Sequence, residues 1–86
     1  MENFDLAIAY TWEYDYDFIN LLESVLQSNG LKTYVITSGN LSETYEKIRR
    51  KEICFAALFD RASDEDPAFA ELPKLLLKQG AYIINR

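Results

Sequence analysis

The sequence predicts a three-layer α/β fold in which a four-stranded parallel sheet carries helices on both faces. Short apolar runs rich in β-branched and aromatic residues alternate along the 86 residues with segments whose apolar residues recur at helical spacing. Turn and helix-start residues separate these segments, and no repeat or linker divides the chain. Residues 1–86 are therefore expected to form one domain.

The first part of the chain is predicted to form a strand, a helix and a second strand. Residues 4–10 are apolar and bounded by polar residues, which suits a strand. The amphipathic segment that follows has Asp15 or Asp17 available to cap its start and Gly30 placed to end it. Residues 31–37 are rich in β-branched and aromatic side chains, so they form the second strand.

A second helix and a third strand occupy the middle of the chain. The helix is expected to start at Asn40 or Ser42, since both residue types are favoured as helix caps. The apolar run over residues 53–59 forms the third strand. Two pairs of opposite charge are spaced for contacts one helical turn apart: Glu43 with Lys47, and Glu46 with Arg50.

Two prolines divide the segment after the third strand. Pro73 would lie deep inside a helix begun at Pro67, where an interior proline costs roughly 3 kcal/mol. We therefore expect a short turn over residues 67–71 and a separate helix over residues 72–79. A fourth strand follows over residues 81–85.

The connections restrict how the strands are arranged. Right-handed crossovers between parallel strands predict the order 2-1-3-4, which reverses direction between strands one and three. The loops that follow these two strands, residues 11–16 and 60–66, then flank the crevice where such sheets bind ligands. This edge of the sheet is the first place to look for function.

Composition excludes several classes of function. The net charge of −5 argues against nucleic acid, whose recognition requires a basic surface. The chain has no histidine and one cysteine, so catalysis by Ser-His-Asp or Cys-His, histidine-bearing zinc sites and an internal disulfide are all excluded within it. No apolar run approaches the roughly 18 residues that span a bilayer, and the N-terminus lacks a positive segment, so we expect a cytoplasmic location without membrane contact.

The loop after strand one is unusually aromatic. Side chains with an aromatic body and a polar tip suit a half-wet surface, where they wall a ligand pocket or dock a neighbouring domain. A strand extension with one packed face is an equally weighted alternative. The aromatic residues alternate with polar ones and are Tyr10, Trp12, Tyr14 and Tyr16.

The two crevice loops are also acidic and, together with Asp17 directly after the first of them, hold half of the 14 acidic residues. Carboxylates can bind Mg²⁺ or transfer protons, but both clusters precede helices, where carboxylates are favoured as caps. Asp60 is the exception, because it ends a buried strand several residues before the cap position. Arg61 could fork onto a carboxylate or phosphate, or pair with Asp64 or Glu65.

Glycine-rich phosphate motifs are absent. Neither GxGxxG nor GxxxxGK[ST] occurs, and the loop after strand one contains no glycine. A receiver domain would share the strand order, but the chain has no fifth strand, and Arg61 follows where a bare acceptor aspartate would be expected.

The segment FDRASDEDP, followed by an apolar helix and then QGAYIIN, resembles the N-terminal domain of a group of uncharacterised, ATP-grasp ligase-like bacterial proteins. The resemblance covers residues 53–85 and implies a flavodoxin-like, pre-ATP-grasp unit whose strand tips form the substrate side of a cleft. The resemblance also implies that a C-terminal ATP-grasp domain of the same polypeptide closes that cleft. Such enzymes use Mg-ATP to activate a carboxylate as an acylphosphate for attack by an amine. Their phosphate-contacting and Mg²⁺-binding residues lie in later domains, so the resemblance places no catalytic, cofactor or metal residue in this chain.

We therefore expect an accessory domain, inert alone and part of a longer carboxylate–amine ligase, that contacts a small-molecule carboxylate substrate. One alternative is a freestanding protein-interaction module that uses the aromatic loop, residues 10–16. Another is a small metal-dependent enzyme that uses the acidic loops. The residues expected to face the cleft are Tyr10, Thr11, Trp12, Asp60, Arg61, Ser63 and Asp64.

Overall fold

Four parallel strands form one sheet in the order β2-β1-β3-β4, which confirms the predicted fold and strand order. The computed structural model describes residues 1–85. Because β1 and β3 lie side by side at the centre, their carboxyl ends meet at one edge of the sheet. The strands are β1 (Glu2–Tyr10), β2 (Thr33–Ile36), β3 (Ile53–Arg61) and β4 (Tyr82–Asn85).

Three α-helices connect the strands: α1 (Tyr16–Ser28), α2 (Leu41–Arg49) and α3 (Glu71–Lys78). A 3₁₀ turn over Pro67–Phe69 precedes α3, so the predicted break between a turn and a separate helix is confirmed. Pro73 lies in the first turn of α3, where its missing N–H would have had no partner within the helix. Within residues 1–85, no helix is both long and apolar enough to cross a membrane.

Side-chain contacts of two neighbouring β2 residues show that helices cover both faces of the sheet. The Thr33 hydroxyl donates to Glu23 of α1 over 2.8 Å. The Tyr34 hydroxyl lies 3.1 Å from the Thr44 hydroxyl of α2. Because successive strand residues point to opposite faces, α1 and α2 lie on opposite sides of the sheet.

The two faces are covered unequally. The main hydrophobic core joins the sheet to α2 and α3, through residues such as Ile48, Leu72 and Leu76. On the other face α1 is the covering helix, and Leu21 and Val25 remain at least half exposed. An apolar groove of about 270 Å³ runs between α1 and the β3–β4 side of the sheet, and its lining residues are Leu6, Phe18, Leu22, Leu26, Phe59 and Ile84.

The third strand extends two residues beyond its predicted end. Asp60 and Arg61 remain in the sheet because they continue the parallel pairing with Ala9 and Tyr10 of β1. Both residues are therefore held by backbone hydrogen bonding at the edge of the sheet, whereas the sequence placed them in a loop. This added rigidity determines the geometry of the candidate site.

Candidate functional site

The loop that follows β1 is joined to the end of β3 by a two-pronged ion pair. The Arg61 Nε donates to Asp15 Oδ2 over 3.0 Å, and Nη2 donates to Oδ1 over 2.9 Å. The two residues are 46 positions apart in the chain. We refer to this pair as the Asp15–Arg61 fork, and it shows that the two crevice loops converge as predicted.

The fork lies partly out of water. The Asp15 side chain is 11% exposed and that of Arg61 is 31% exposed. The guanidinium carbon of Arg61 also lies 5.9 Å and 6.0 Å from the ring centroids of Phe18 and Phe59. Partial burial strengthens the attraction between the two charges and makes the loss of either partner costly.

Asp15 is one of the site residues that sequence reasoning missed. Either Asp15 or Asp17 was expected to cap α1. Asp15 stands at the N-cap position, but its carboxylate makes no capping hydrogen bond. Arg61 was expected to bind a ligand or to pair with Asp64 or Glu65, which stand near it in the sequence. It pairs with Asp15 because strand pairing places the two loops side by side.

A small cleft of about 190 Å³ lies at the junction of the two loops. It contains three of the predicted site residues, namely Trp12, Arg61 and Asp64, together with Asp15 and Glu65. We call it the β1–β3 cleft. Its lining combines an indole ring, a guanidinium and three carboxylates, which are groups that can orient a small polar molecule.

Asp60 and Ser63 do not line this cleft. Asp60 is 2% exposed, and its Oδ1 accepts hydrogen bonds from the backbone N–H groups of Ala62 and Ser63, each at 3.0 Å. Its Oδ2 accepts a short hydrogen bond from the Ser63 hydroxyl. Both carboxylate oxygens of the buried Asp60 therefore hold the turn after β3 in shape.

Tyr10 and Thr11 line a different depression, between the loops that follow β1 and β2. This β1–β2 cleft has a volume of about 420 Å³. The sequence did not predict this cleft, because ligand sites in such sheets are expected where the strand order reverses, between β1 and β3. Its other lining residues are Glu13, Tyr16, Thr37 and Ser38.

The aromatic loop is a surface feature. Trp12 is 57% exposed and Tyr14 is 73% exposed, and their rings pack edge to face with centroids 5.0 Å apart. The alternative in which this segment extends the first strand is wrong, since β1 ends at Tyr10 and a 3₁₀ turn forms over Glu13–Asp15. These rings are available to a ligand or to another protein surface.

Comparisons of this chain with protein-family models, with curated proteins and with solved structures found no match. Among residues 1–85, no group of three or more His, Cys, Asp or Glu side chains is arranged to hold a metal ion. The interpretation of the site therefore depends on its own geometry.

Proposed function

We propose that this chain is the substrate-side domain of a cytoplasmic, ATP-dependent carboxylate–amine ligase of the ATP-grasp type, inert by itself. The observation that carries the proposal is the Asp15–Arg61 fork, which fixes two sequence-distant loops at the sheet edge where α/β domains bind ligands. The resemblance of residues 53–85 to pre-ATP-grasp domains supports the same assignment.

In this proposal the β1–β3 cleft holds one end of the carboxylate substrate. The fork uses Nε and Nη2 of Arg61, so the Nη1 amino group keeps donors outside the fork that can bind a neutral polar oxygen on the body of the substrate. Trp12 offers a flat apolar surface, and Asp64 accepts hydrogen bonds from the substrate. Asp60 and Ser63 act indirectly, by holding the turn that carries Asp64.

The cleft residues do not fit Mg-ATP. Arg61 is already paired with Asp15, and the neighbouring carboxylates of Asp64 and Glu65 repel a polyphosphate. The loops also lack the glycine-rich backbone that cradles phosphates. ATP and Mg²⁺ would therefore be bound by the C-terminal ATP-grasp domain of the same polypeptide.

The open face beside α1 supports a partner domain. Phe18, Leu21 and Val25 are each about half exposed or more, and Phe18 also lines the apolar groove. Clustered exposed apolar side chains of this kind mark surfaces that another protein segment covers. An adjoining domain of the same polypeptide would bury them.

The first test is the coding sequence after the Arg86 codon. The proposal requires an ATP-grasp domain in the same reading frame. A stop codon at that point in the source genome would contradict it, because the partner domain would then have no covalent connection to this chain.

The second test is kinetic, in the polypeptide that carries both domains. Trp12→Ala and Asp64→Asn are expected to raise KM for the carboxylate about tenfold, which corresponds to about 1.4 kcal/mol, while KM for ATP stays within about twofold. Lys74→Ala is the matched control, since Lys74 forms only an exposed pair with Glu71 on α3. Unchanged carboxylate KM in both cleft variants would remove these residues from the site.

The exposed aromatic loop favours a second candidate, a protein-interaction module. Trp12 and Tyr14 together present the kind of aromatic surface that anchors protein interfaces. This candidate predicts that a separate protein binds the wild-type chain and that Trp12→Ala abolishes this binding. Leu77→Ala is the control, because Leu77, like Trp12, is a large exposed apolar residue, but it lies on α3 and is 63% exposed. Equal loss with both variants would mean that the loop is not the contact surface.

A further inference from the structure

The β1–β2 cleft has the size and lining of a second ligand site. Its volume of about 420 Å³ falls in the range of pockets that hold small molecules, roughly 300–1,000 Å³. Its lining residues are two tyrosines, three residues with aliphatic hydroxyl groups and one glutamate. Among the described residues, none of these side chains takes part in a side-chain hydrogen bond, so their polar groups are available to a ligand.

The charge around this cleft determines whether it favours a positively or a negatively charged ligand. Glu13 is its only charged lining residue, and no lysine or arginine lines it. The neighbouring cation Arg61 is neutralised by Asp15, while Asp64 and Glu65 add negative charge to the same edge of the sheet. A negative potential concentrates cations and repels carboxylates and phosphates.

The side chains of the cleft are those that bind ammonium groups. The faces of the two tyrosine rings attract a cation. The hydroxyls of Thr11, Thr37 and Ser38 can accept hydrogen bonds from its N–H groups, and Glu13 supplies the opposite charge. A quaternary ammonium would satisfy the rings but could donate nothing to the hydroxyls.

We propose that the β1–β2 cleft binds the primary ammonium group of an aliphatic amine. This assignment goes beyond the proposed function and does not depend on it, because it concerns a different cleft and can be measured on the 86-residue chain alone. A chain that lacks a downstream ligase domain would still be expected to bind the amine.

The test is a titration of the isotopically labelled chain, followed by backbone amide chemical shifts. With 1,4-diaminobutane as the probe, saturable shifts are expected at residues 11–13, 16 and 37–38. Tetramethylammonium is expected to bind at least about threefold more weakly, since it loses the N–H hydrogen bonds. Glucose and inorganic phosphate, as neutral and anionic probes, are expected to shift none of these amides.

Variants separate a local site from general attraction to an acidic protein. Glu13→Gln is expected to raise the dissociation constant about fivefold, and Tyr16→Ala about threefold. Glu71→Gln removes the same charge from an exposed position on α3 that does not line the cleft, and it is expected to leave the constant within about twofold.

Three results would overturn the assignment. Equal weakening by Glu13→Gln and Glu71→Gln would show that binding follows net charge alone. Equal affinity for tetramethylammonium and the diamine would exclude a role for the hydroxyls. Shifts centred outside the cleft, or comparable shifts with glucose or phosphate, would show that the ligand class is wrong.

Discussion

Removal of Arg61 is expected to destabilise the domain far more than removal of any exposed charge. Arg61→Met keeps the aliphatic stem beside Phe18 and Phe59 but leaves the Asp15 carboxylate without its partner. The complementary variant, Asp15→Asn, keeps one oxygen that can accept from the guanidinium. The double variant Asp15→Asn with Arg61→Met removes both charges together.

The magnitude follows from the burial of the fork. Exposed ion pairs contribute about 0.2–1 kcal/mol, whereas stranding one partner of a buried pair costs about 3–5 kcal/mol. Asp15 is nearly buried and Arg61 is about one-third exposed. We therefore expect Arg61→Met to lower the free energy of unfolding by about 2–3 kcal/mol and Asp15→Asn by about 1–2 kcal/mol. The double variant should lose less than the sum, with a coupling energy of about 1.5 kcal/mol.

Urea denaturation followed by circular dichroism measures these values. Fluorescence of Trp12, the only tryptophan, reports independently on the loop beside the fork. Lys47→Met is the matched control, because Lys47 lies 3.6 Å from Glu43 in an exposed helical pair. That variant is expected to cost no more than about 0.5 kcal/mol.

A coupling energy no larger than the stability cost of Lys47→Met would refute the argument. It would mean that Arg61 and Asp15 gain little from their contact in solution, and that the two loops are not fixed by it. The basis for placing a ligand site in the β1–β3 cleft would then be lost as well.

Two other features of the fold make separate predictions. Lys51 has a φ of 60°, so Lys51→Gly is expected to raise the free energy of unfolding, measured by urea denaturation, by about 0.5–1 kcal/mol. Arg50→Gly is the control and should lower the free energy of unfolding, because Arg50 has a φ of −80°. A lower free energy of unfolding for Lys51→Gly would contradict the prediction. Burial raises the pKa of Tyr45, whose hydroxyl donates to the Ala68 carbonyl over 2.8 Å. Because the folded pKa exceeds the unfolded value, the contribution of the neutral Tyr45 hydroxyl to the free energy of unfolding is complete below about pH 10. That contribution is lost as pH rises through the folded pKa. As pH rises from 8 to 12, the urea midpoint should fall more steeply for the wild type than for Tyr45→Phe. Parallel curves for the two proteins would contradict the prediction.

The strand order was predictable because it depends on features that sequence reveals directly. The alternation of strand and helix patterns requires parallel strands, and the handedness of crossovers then leaves few arrangements. The break before α3 was predictable for a similar reason, since Pro73 cannot occupy a helix interior. The ion pairs Glu43–Lys47 and Glu46–Arg50 also form, at 3.6 Å each, because helical spacing alone brings their side chains together.

One irregularity within β1 had no signal in the sequence. The N–H groups of Asp5 and Leu6 both donate to the Lys32 carbonyl, at 2.8 Å and 3.2 Å, which interrupts the regular alternation of faces. Phe4 consequently packs against Tyr34, with ring centroids 5.0 Å apart. Bulges of this kind depend on how neighbouring strands fit together, and a single strand pattern does not specify them.

The contacts at the site were less predictable than the fold. The sequence predicted that Arg61 would pair with carboxylates near it in the chain. Its partner is instead Asp15, which the register between β1 and β3 brings close. Asp60 shows the same limitation. An aspartate at a strand end suggested an exposed acid, but the following turn folds over it and uses both oxygens.

The charge of the cleft edge connects the proposed function with the expectation that the domain is inert alone. Asp15 neutralises Arg61, so Asp64 and Glu65 leave the β1–β3 cleft with excess negative charge. A free carboxylate is repelled by such a surface unless another cation lies nearby. In the proposed ligase that cation would have to come from the ATP-grasp side of the cleft. The domain alone would then hold the substrate's body against Trp12 only weakly, and tight binding of the carboxylate would require both domains.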